Sequence, residues 1–449
     1  MRTISKKSDK SSFFAGLPVV GLPARMEQVP AFRQQEHVME TAEPLVGAPL
    51  AAQPDNVPDD RVIDFNLHRP VPAGQTVHEF WRDAMAGAAH DVMWTPHSGG
   101  HWMVMDPDLC ESVLTDPERF SSRVVIVPRD PIGEAYSKYI PLSLDPPHHG
   151  PIRKLLNEGL SPKVISQRKE AMRSLTVDLI EGFRAKGRCN FSHDFAEQVP
   201  IRIFLRLVDL PEEDLPKLKY LADQFTRPDG SITASETEQR FSDYIGPVIR
   251  ERRGGTGDDL ITRMINGKVD GRDLTHDEAE SLCIQALVGG LDTVVNLLGF
   301  VFSHLAQDAE TRRALREDPS RIDDAILEFM RRFPVVSDSR EVVSECSLDG
   351  VTFKPRDMIM ASTMVIALSD RSNPKPLEFR LGRQARRHFV FGKGHHICPG
   401  AHLARTELKI VLEEWLARIP EFRLASGSTL SFTSGIVATV DPFELEWDA

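Results

Sequence analysis

The residues best suited to chemistry lie in Phe391-Gly392-Lys393-Gly394-His395-His396-Ile397-Cys398-Pro399-Gly400, just ahead of a helical pattern over 401–417. A cysteine immediately before a helix start has its thiolate favoured by the helix dipole and by free backbone N–H groups. Gly394 and Gly400 let the loop pass close beneath a bulky planar partner. Sulfur at the tip of a tight loop, with donors limiting its charge, is what a thiolate ligand to a haem iron requires. The His-His-x-Cys cluster also admits a zinc reading, although no second Cys or His pair lies nearby at the usual spacing. A phosphate loop fits less well, because Gly392-Lys393-Gly394 lacks the spacing and the Lys-Ser/Thr ending.

A second constellation, Gly289-Gly290-Leu291-Asp292-Thr293, interrupts an apolar helical stretch. Two glycines there cost about 1 kcal/mol each relative to alanine. Glycine permits a widened turn and close approach of a flat ligand, while Asp292 and Thr293 can hold water or pass protons at the opened backbone. A kinked helix with a satisfied polar pair is the alternative. Glu328 and Arg331, at i and i+3, read either as a buried ion pair or as an exposed surface pair. His149 and Arg153, at i and i+4 after Asp145-Pro146-Pro147, form a cationic pair at a helix start, suited to carboxylates such as haem propionates.

These residues need rigid elements to hold them. Apolar spacings of three and four predict helices over 151–185, 211–226, 275–308, 310–317, 321–333 and 401–418. Strand signals fall at 100–105, 341–365 and 428–447, the clearest being Phe443, Leu445 and Trp447 alternating with Glu444 and Glu446. Thr275 and Glu278 make a capping box at the head of a rod of roughly 50 Å. Its stretch 282–305 is apolar enough for a membrane span, but Gln285, Asp292, Thr293 and Asn296 inside it favour a buried core helix. The expectation is a mainly α domain with minor β-sheets.

Composition narrows the function classes. Across 449 residues, 54 Lys+Arg against 66 Asp+Glu leave a net charge of −12, which argues against a nucleic-acid partner. Five scattered cysteines, Cys110, Cys189, Cys283, Cys346 and Cys398, exclude a disulfide scaffold and point to a reducing, cytoplasmic compartment. Residues 1–54 are Pro-rich, without an apolar run long enough for a signal peptide or membrane anchor. Glu27, Glu36, Glu40 and Glu43 weigh against a transit peptide. That segment is read as a disordered extension, and 55–449 as a single domain.

Together these residues resemble the cytochrome P-450 superfamily. The 391–400 loop matches its cysteine signature, Gly290-Leu291-Asp292-Thr293 its oxygen-activation motif, and Glu328-Phe329-Met330-Arg331 its Glu-x-x-Arg. Residues 55–449 look most like the bacterial camphor 5-monooxygenase family, including stretches 133–136, 226–230, 287–296 and 434–437; the Pro-rich extension has no counterpart there. The resemblance implies the triangular helical P-450 fold and one haem b with Cys398 as axial ligand. It further implies a monooxygenase that takes O2 and two electrons from a [2Fe-2S] ferredoxin served by an NAD(P)H-dependent flavin reductase.

By the same resemblance, Asp292 and Thr293 deliver protons and Gly289 sits at the helix distortion. Arg153, Asp338, Arg340 and His396 match propionate-binding positions, with His149 added. Glu328, Arg331 and Arg383 are structural. Arg227 corresponds to an ion-pair partner of the catalytic aspartate and Lys219 to a neighbour of that switch, each with a solvated surface charge as the plain alternative. Arg153 and Arg405 match positions that dock the ferredoxin. Tyr136 matches the hydrogen-bond donor to a substrate ketone, implying a compact oxygenated terpenoid. Gln285, Ile126, Leu142, Val288 and Val336 complete the expected pocket, Gln285 replacing a leucine and Arg123 a carboxylate near that family's cation site. Camphor-like and 1,8-cineole-like bicyclic substrates fit. The alternatives are an ionone-type norisoprenoid hydroxylase and a haem-binding sensor without turnover.

Overall fold

The computed structural model describes residues 50–129, 138–384 and 386–448. Tyr136 and the 133–136 stretch lie outside the described residues. The elements that position the site all belong to the unit Glu43–Ala449. Seven helices do so: α1 (His149–Gly159), α2 (Gln198–Val208), α3 (Leu215–Thr226), α4 (His276–Leu291), α5 (Thr293–Leu305), α6 (Ile322–Arg332) and α7 (Ala401–Arg418).

The capping box that opens α4 is present: Thr275 Oγ1 accepts from Glu278 N at 3.1 Å, and Glu278 Oε2 accepts from Thr275 N at 2.9 Å. The expected rod over 275–308 is two segments, however. Asp292 leaves helical geometry at φ −128°, ψ −45°, so the break falls there and not at Gly289. Its side chain is drawn to Arg227, while its carbonyl accepts from both Asn296 N (3.1 Å) and Asn296 Nδ2 (3.0 Å), which restarts the helix. His276–Leu305 has the length and hydropathy of a membrane span, but 72% of its most apolar window is buried inside the protein, as a core helix requires.

The two glycines separate in role. A Cβ on Gly290 would lie 2.5 Å from ring carbons of Phe204 on α2, so this glycine permits close helix packing and not ligand approach. A Cβ on Gly289 would meet only Gln285 Nε2, at 4.0 Å. Gly290→Ala should therefore destabilise by about 1–3 kcal/mol through overpacking. Gly289→Ala should be neutral or stabilising by up to about 1 kcal/mol, from helix propensity. Chemical denaturation of the two variants side by side checks the contrast.

One mixed sheet supplies the other wall. Its strands are β1 (Val92–Thr95), β2 (His101–Val104), β3 (Phe120–Ser121), β4 (Ser337–Val342) and β5 (Met358–Ser362), in the order β1-β2-β5-β4-β3. Only the β2–β5 pairing is parallel. Every residue of β5 is buried, which fits a central strand covered on both faces. The alternating C-terminal segment forms the strand Glu444–Glu446, with Phe443, Leu445 and Trp447 buried and Phe443 stacked on Phe191 at 5.3 Å. The helical run expected over 151–185 is divided into His149–Gly159, Pro162–Ser166 and Lys169–Arg184, because Pro162 cannot continue a helix but can begin one.

Candidate active site

The cysteine loop is held by its own backbone. Gly392 N donates to Phe389 O at 2.7 Å, and Cys398 N to Phe391 O at 2.7 Å. Gly392 (φ +71°) and Gly394 (φ +69°) adopt the left-handed conformation these bonds demand, and a Cβ on Gly394 would press to 3.1 Å from Leu114 O. Gly400 has an ordinary φ of −82°; a Cβ there would stand 3.7 Å from Cys398 Sγ. Burial pushes the Cys398 thiol up, opposed by the N–H groups of Gly400 and Ala401 at the start of α7 and by Arg153, while Asp338 adds to the rise. Cys398 is only partly buried and keeps accessible surface.

Around that loop stand most of the residues expected to hold carboxylates. Arg153 on α1, 8% exposed, donates to Asn157 Oδ1 at 2.9 Å and to the carbonyl of Ile397. It is thus tied to the cysteine loop and offers no free surface charge for docking, contrary to that part of the expectation. Arg405 is exposed and lies over the Phe391 ring at 5.0 Å. The His149 ring sits 4.5 Å from His396 and 5.0 Å from His395, centroid to centroid. Burial, then His395 and Arg153, lowers His149 to about 4; burial, then Arg340, His395 and His149, lowers His396 to about 2. Burial raises Asp338 against the pull of Arg340, and lowers Arg340 against Asp338 and Asp145. Nε2 of His149, His395 and His396 is buried without a hydrogen-bond partner.

The central helix presents one open strip. Along α4 and the start of α5, Leu282, Cys283, Ile284, Leu287, Val288, Leu291 and Val295 are buried, whereas Gln285, Ala286, Gly289, Gly290, Thr293 and Val294 keep accessible surface. Spaced by four, Gln285, Gly289 and Thr293 share one face, with Ala286, Gly290 and Val294 alongside. Behind them, Asp292 is 1% exposed and receives Arg227 Nη2 at 2.6 Å and Nη1 at 2.9 Å, with Lys219 Nζ at 3.6 Å. Burial alone would raise its carboxyl, but Arg227 first and Lys219 after it hold it down at about 2, so Asp292 is ionised at neutral pH. Arg227 and Lys219 are thus mostly buried charges and not solvated ones. Asp223, which sequence reasoning missed, ties them together: it pairs with Lys219 four residues before it on α3 and with Arg227, four residues after it and just past the end of α3. That i,i+4 charge pattern was its signal.

The ion pair on α6 is wholly buried: Arg331 Nη2 meets Glu328 Oε1 at 2.8 Å, with both side chains at 0% exposure. Arg383 Nε donates to the same oxygen at 2.9 Å, and Arg386, also missed in the sequence, stands 3.5 Å from Oε2. Arg331 reaches on to the carbonyls of Pro376 and Glu378, fixing the chain that leads to the cysteine loop. Of the other expected residues, Ile126 and Val288 are buried, Leu142 and Val336 partly so, and Arg123 faces Glu341 Oε1 at 3.4 Å.

The cytochrome P450 family profile matches residues 218–425. The "Probable cytochrome P450 127A1" of Sinorhizobium fredii is 30% identical over 414 residues, covering 88% of this chain and 96% of that protein. The chain belongs to the cytochrome P-450 family. The crystal structure of CYP101J2 is 57% identical to this P-450 with a TM-score of 0.84, covering 89% of this chain and all of the other. That of CYP101C1 is 35% identical with a TM-score of 0.81 over the same shares. The protein is accordingly a haem-thiolate monooxygenase with the P-450 fold. The residues present fit that group: a partly buried thiol with two backbone donors, two guanidiniums, and buried imidazole nitrogens left without partners.

Proposed function

We propose that this P-450 hydroxylates an unactivated C–H bond of a small, oxygenated, bicyclic terpenoid, using electrons from a [2Fe-2S] ferredoxin and its NAD(P)H-dependent flavin reductase. The observation that carries the substrate class is Gln285, a polar amide on the open strip of α4 beside Gly289 and Thr293. The other proposed walls, Ile126, Leu142, Val288 and Val336, are apolar, so one amide, with Tyr136, orients a molecule by its oxygen. Similarity to two CYP101 structures and the camphor-hydroxylase resemblance support the same class. The compartment consistent with such partners is the cytoplasm.

When bound, the haem supplies reductive activation of dioxygen, favoured by electron donation from its thiolate. Cys398 is the proposed ligand, and Arg153, Arg340, Asp338, His149 and His396 the residues that hold the haem edge. Thr293 presents its hydroxyl on the open strip, where it can pass a proton. Asp292 is the adjacent reservoir, but only once Arg227 loosens, because a carboxylate bound by two guanidinium N–H groups is a poor proton carrier. Arg405 is the exposed cation proposed for ferredoxin docking. An intact proton path of this kind has no use in a sensor without turnover.

The test is a ligand panel read by the haem spin-state shift. Camphor, 1,8-cineole and an ionone should bind more tightly than a hydrocarbon of similar size; a preference for the hydrocarbon would overturn the reading. Gln285→Leu should weaken the oxygenated ligands about 3–10-fold, the worth of one neutral hydrogen bond. An unchanged profile removes Gln285 from the pocket. Thr293→Ala should keep consuming NADH while product falls and peroxide appears, whereas undiminished coupling would refute its proton-transfer role.

A further inference from the structure

The turn between β1 and β2 opens on a cavity of about 300 Å³ that shares no residue with the proposed haem pocket. Trp94, Trp102, Pro128 and Met358 give it apolar walls, and Ser98 and His101 line it too. Its charged neighbours are engaged: Arg129 meets Glu341 Oε2 at 2.7 Å and donates to Arg356 O at 3.1 Å, while Asp357 accepts from Trp102 Nε1 and Lys354 N, each at 3.0 Å. Among the described residues, Ser98 Oγ and His101 Nε2 have no hydrogen-bond partner, although Ser98 is only 8% and His101 only 1% exposed. Ser98 also holds φ at +51°, a conformation that glycine adopts far more readily than serine.

The protonation state of His101 defines what the cavity takes. Its Nδ1 lies 3.2 Å from His97 O, which can only accept, so Nδ1 carries the proton. Burial lowers the ring to about 3, which leaves it neutral and Nε2 an acceptor. Ser98, in the same turn, has a hydroxyl hydrogen to give. A ligand hydroxyl satisfies both groups, donating to Nε2 and accepting from Ser98, whereas a ketone or ether can satisfy only Ser98. The volume far exceeds the ~30 Å³ share of one liquid water and reaches the range of small-molecule sites. We propose that this cavity is a second ligand site, outside the haem pocket, for a small apolar alcohol. Resting on the hydroxylation proposed above, that class includes the product, so the site favours product over a ketone or ether substrate.

The test uses the haem-loaded enzyme with its iron saturated by 1-phenylimidazole, whose spectrum reports that the haem pocket stays filled. Calorimetric titration compares borneol with camphor, one skeleton bearing a hydroxyl or a ketone. Borneol should bind once per chain, about 3–10-fold more tightly than camphor, with the azole spectrum unchanged. Ser98→Gly, which suits the positive φ, should weaken borneol by a similar factor, and Ala52→Trp, at the exposed rim, should block it. Both variants, freed of azole, should give the wild-type spin-state titration with camphor. Equal affinity for borneol and camphor, binding seen only as azole displacement, or no loss in Ser98→Gly would overturn the proposal; no binding at all would leave the cavity to water alone and overturn it too. A wrong substrate class shows instead in the spin-state panel of the azole-free enzyme, so the two failures are distinguishable.

Discussion

Cys398→Ala is expected to reduce monooxygenase turnover to background and to remove the red-shifted Soret band that thiolate ligation gives the reduced carbon monoxide complex. The loop should survive the change. Its bonds run through backbone groups of Phe389, Phe391, Gly392 and Cys398, none of which needs the sulfur. Burial and Asp338 disfavour only the thiolate, so the neutral side chain carries no charge that the fold depends on. Circular dichroism and the unfolding midpoint should therefore stay close to the wild type while the spectrum changes. A variant that keeps the thiolate spectrum would move the ligand to another residue.

The second large effect is on stability. Glu328→Gln should cost about 3–5 kcal/mol, because it leaves buried guanidinium charge without its counter-ion. The carboxylate serves Arg331, Arg383, Arg386 and the backbone N–H of Arg380, so several contacts weaken together. An amide can replace only part of this. Denaturant unfolding of the holoenzyme should show the loss, accompanied by faster haem release, since Arg331 anchors the chain that leads into the cysteine loop. A change below about 1 kcal/mol, the scale of a surface pair, would contradict its burial.

Much of this was legible in the sequence because each motif carries its own physics. The Thr275/Glu278 box, the alternation around Leu445 and the glycine-flanked cysteine all announce local geometry. What was harder to see depends on partners distant in the chain. Glu328 and Arg331 have the spacing of a surface pair, and only packing against 367–383 buries them. Gly289 and Gly290 look alike in sequence, and Phe204, some 85 residues away, distinguishes them. The helix break moved to Asp292 because a cross-helix ion pair outweighed the local flexibility of glycine. The helix Ala234–Arg252 has a faint sequence signal despite the Thr233/Glu236 capping box, because polar residues and Pro247 weaken its periodicity.

If this P-450 inserts one oxygen atom into an oxygenated terpenoid, the atom must come from dioxygen. NADH-driven turnover of 1,8-cineole and camphor under isotopically labelled dioxygen, with a bacterial [2Fe-2S] ferredoxin and its reductase, examines that step itself. The expected product is monohydroxylated, carries one labelled atom and forms in step with NADH use. Label drawn from water, or NADH consumed across the whole oxygenated panel without any hydroxylated product, would contradict it.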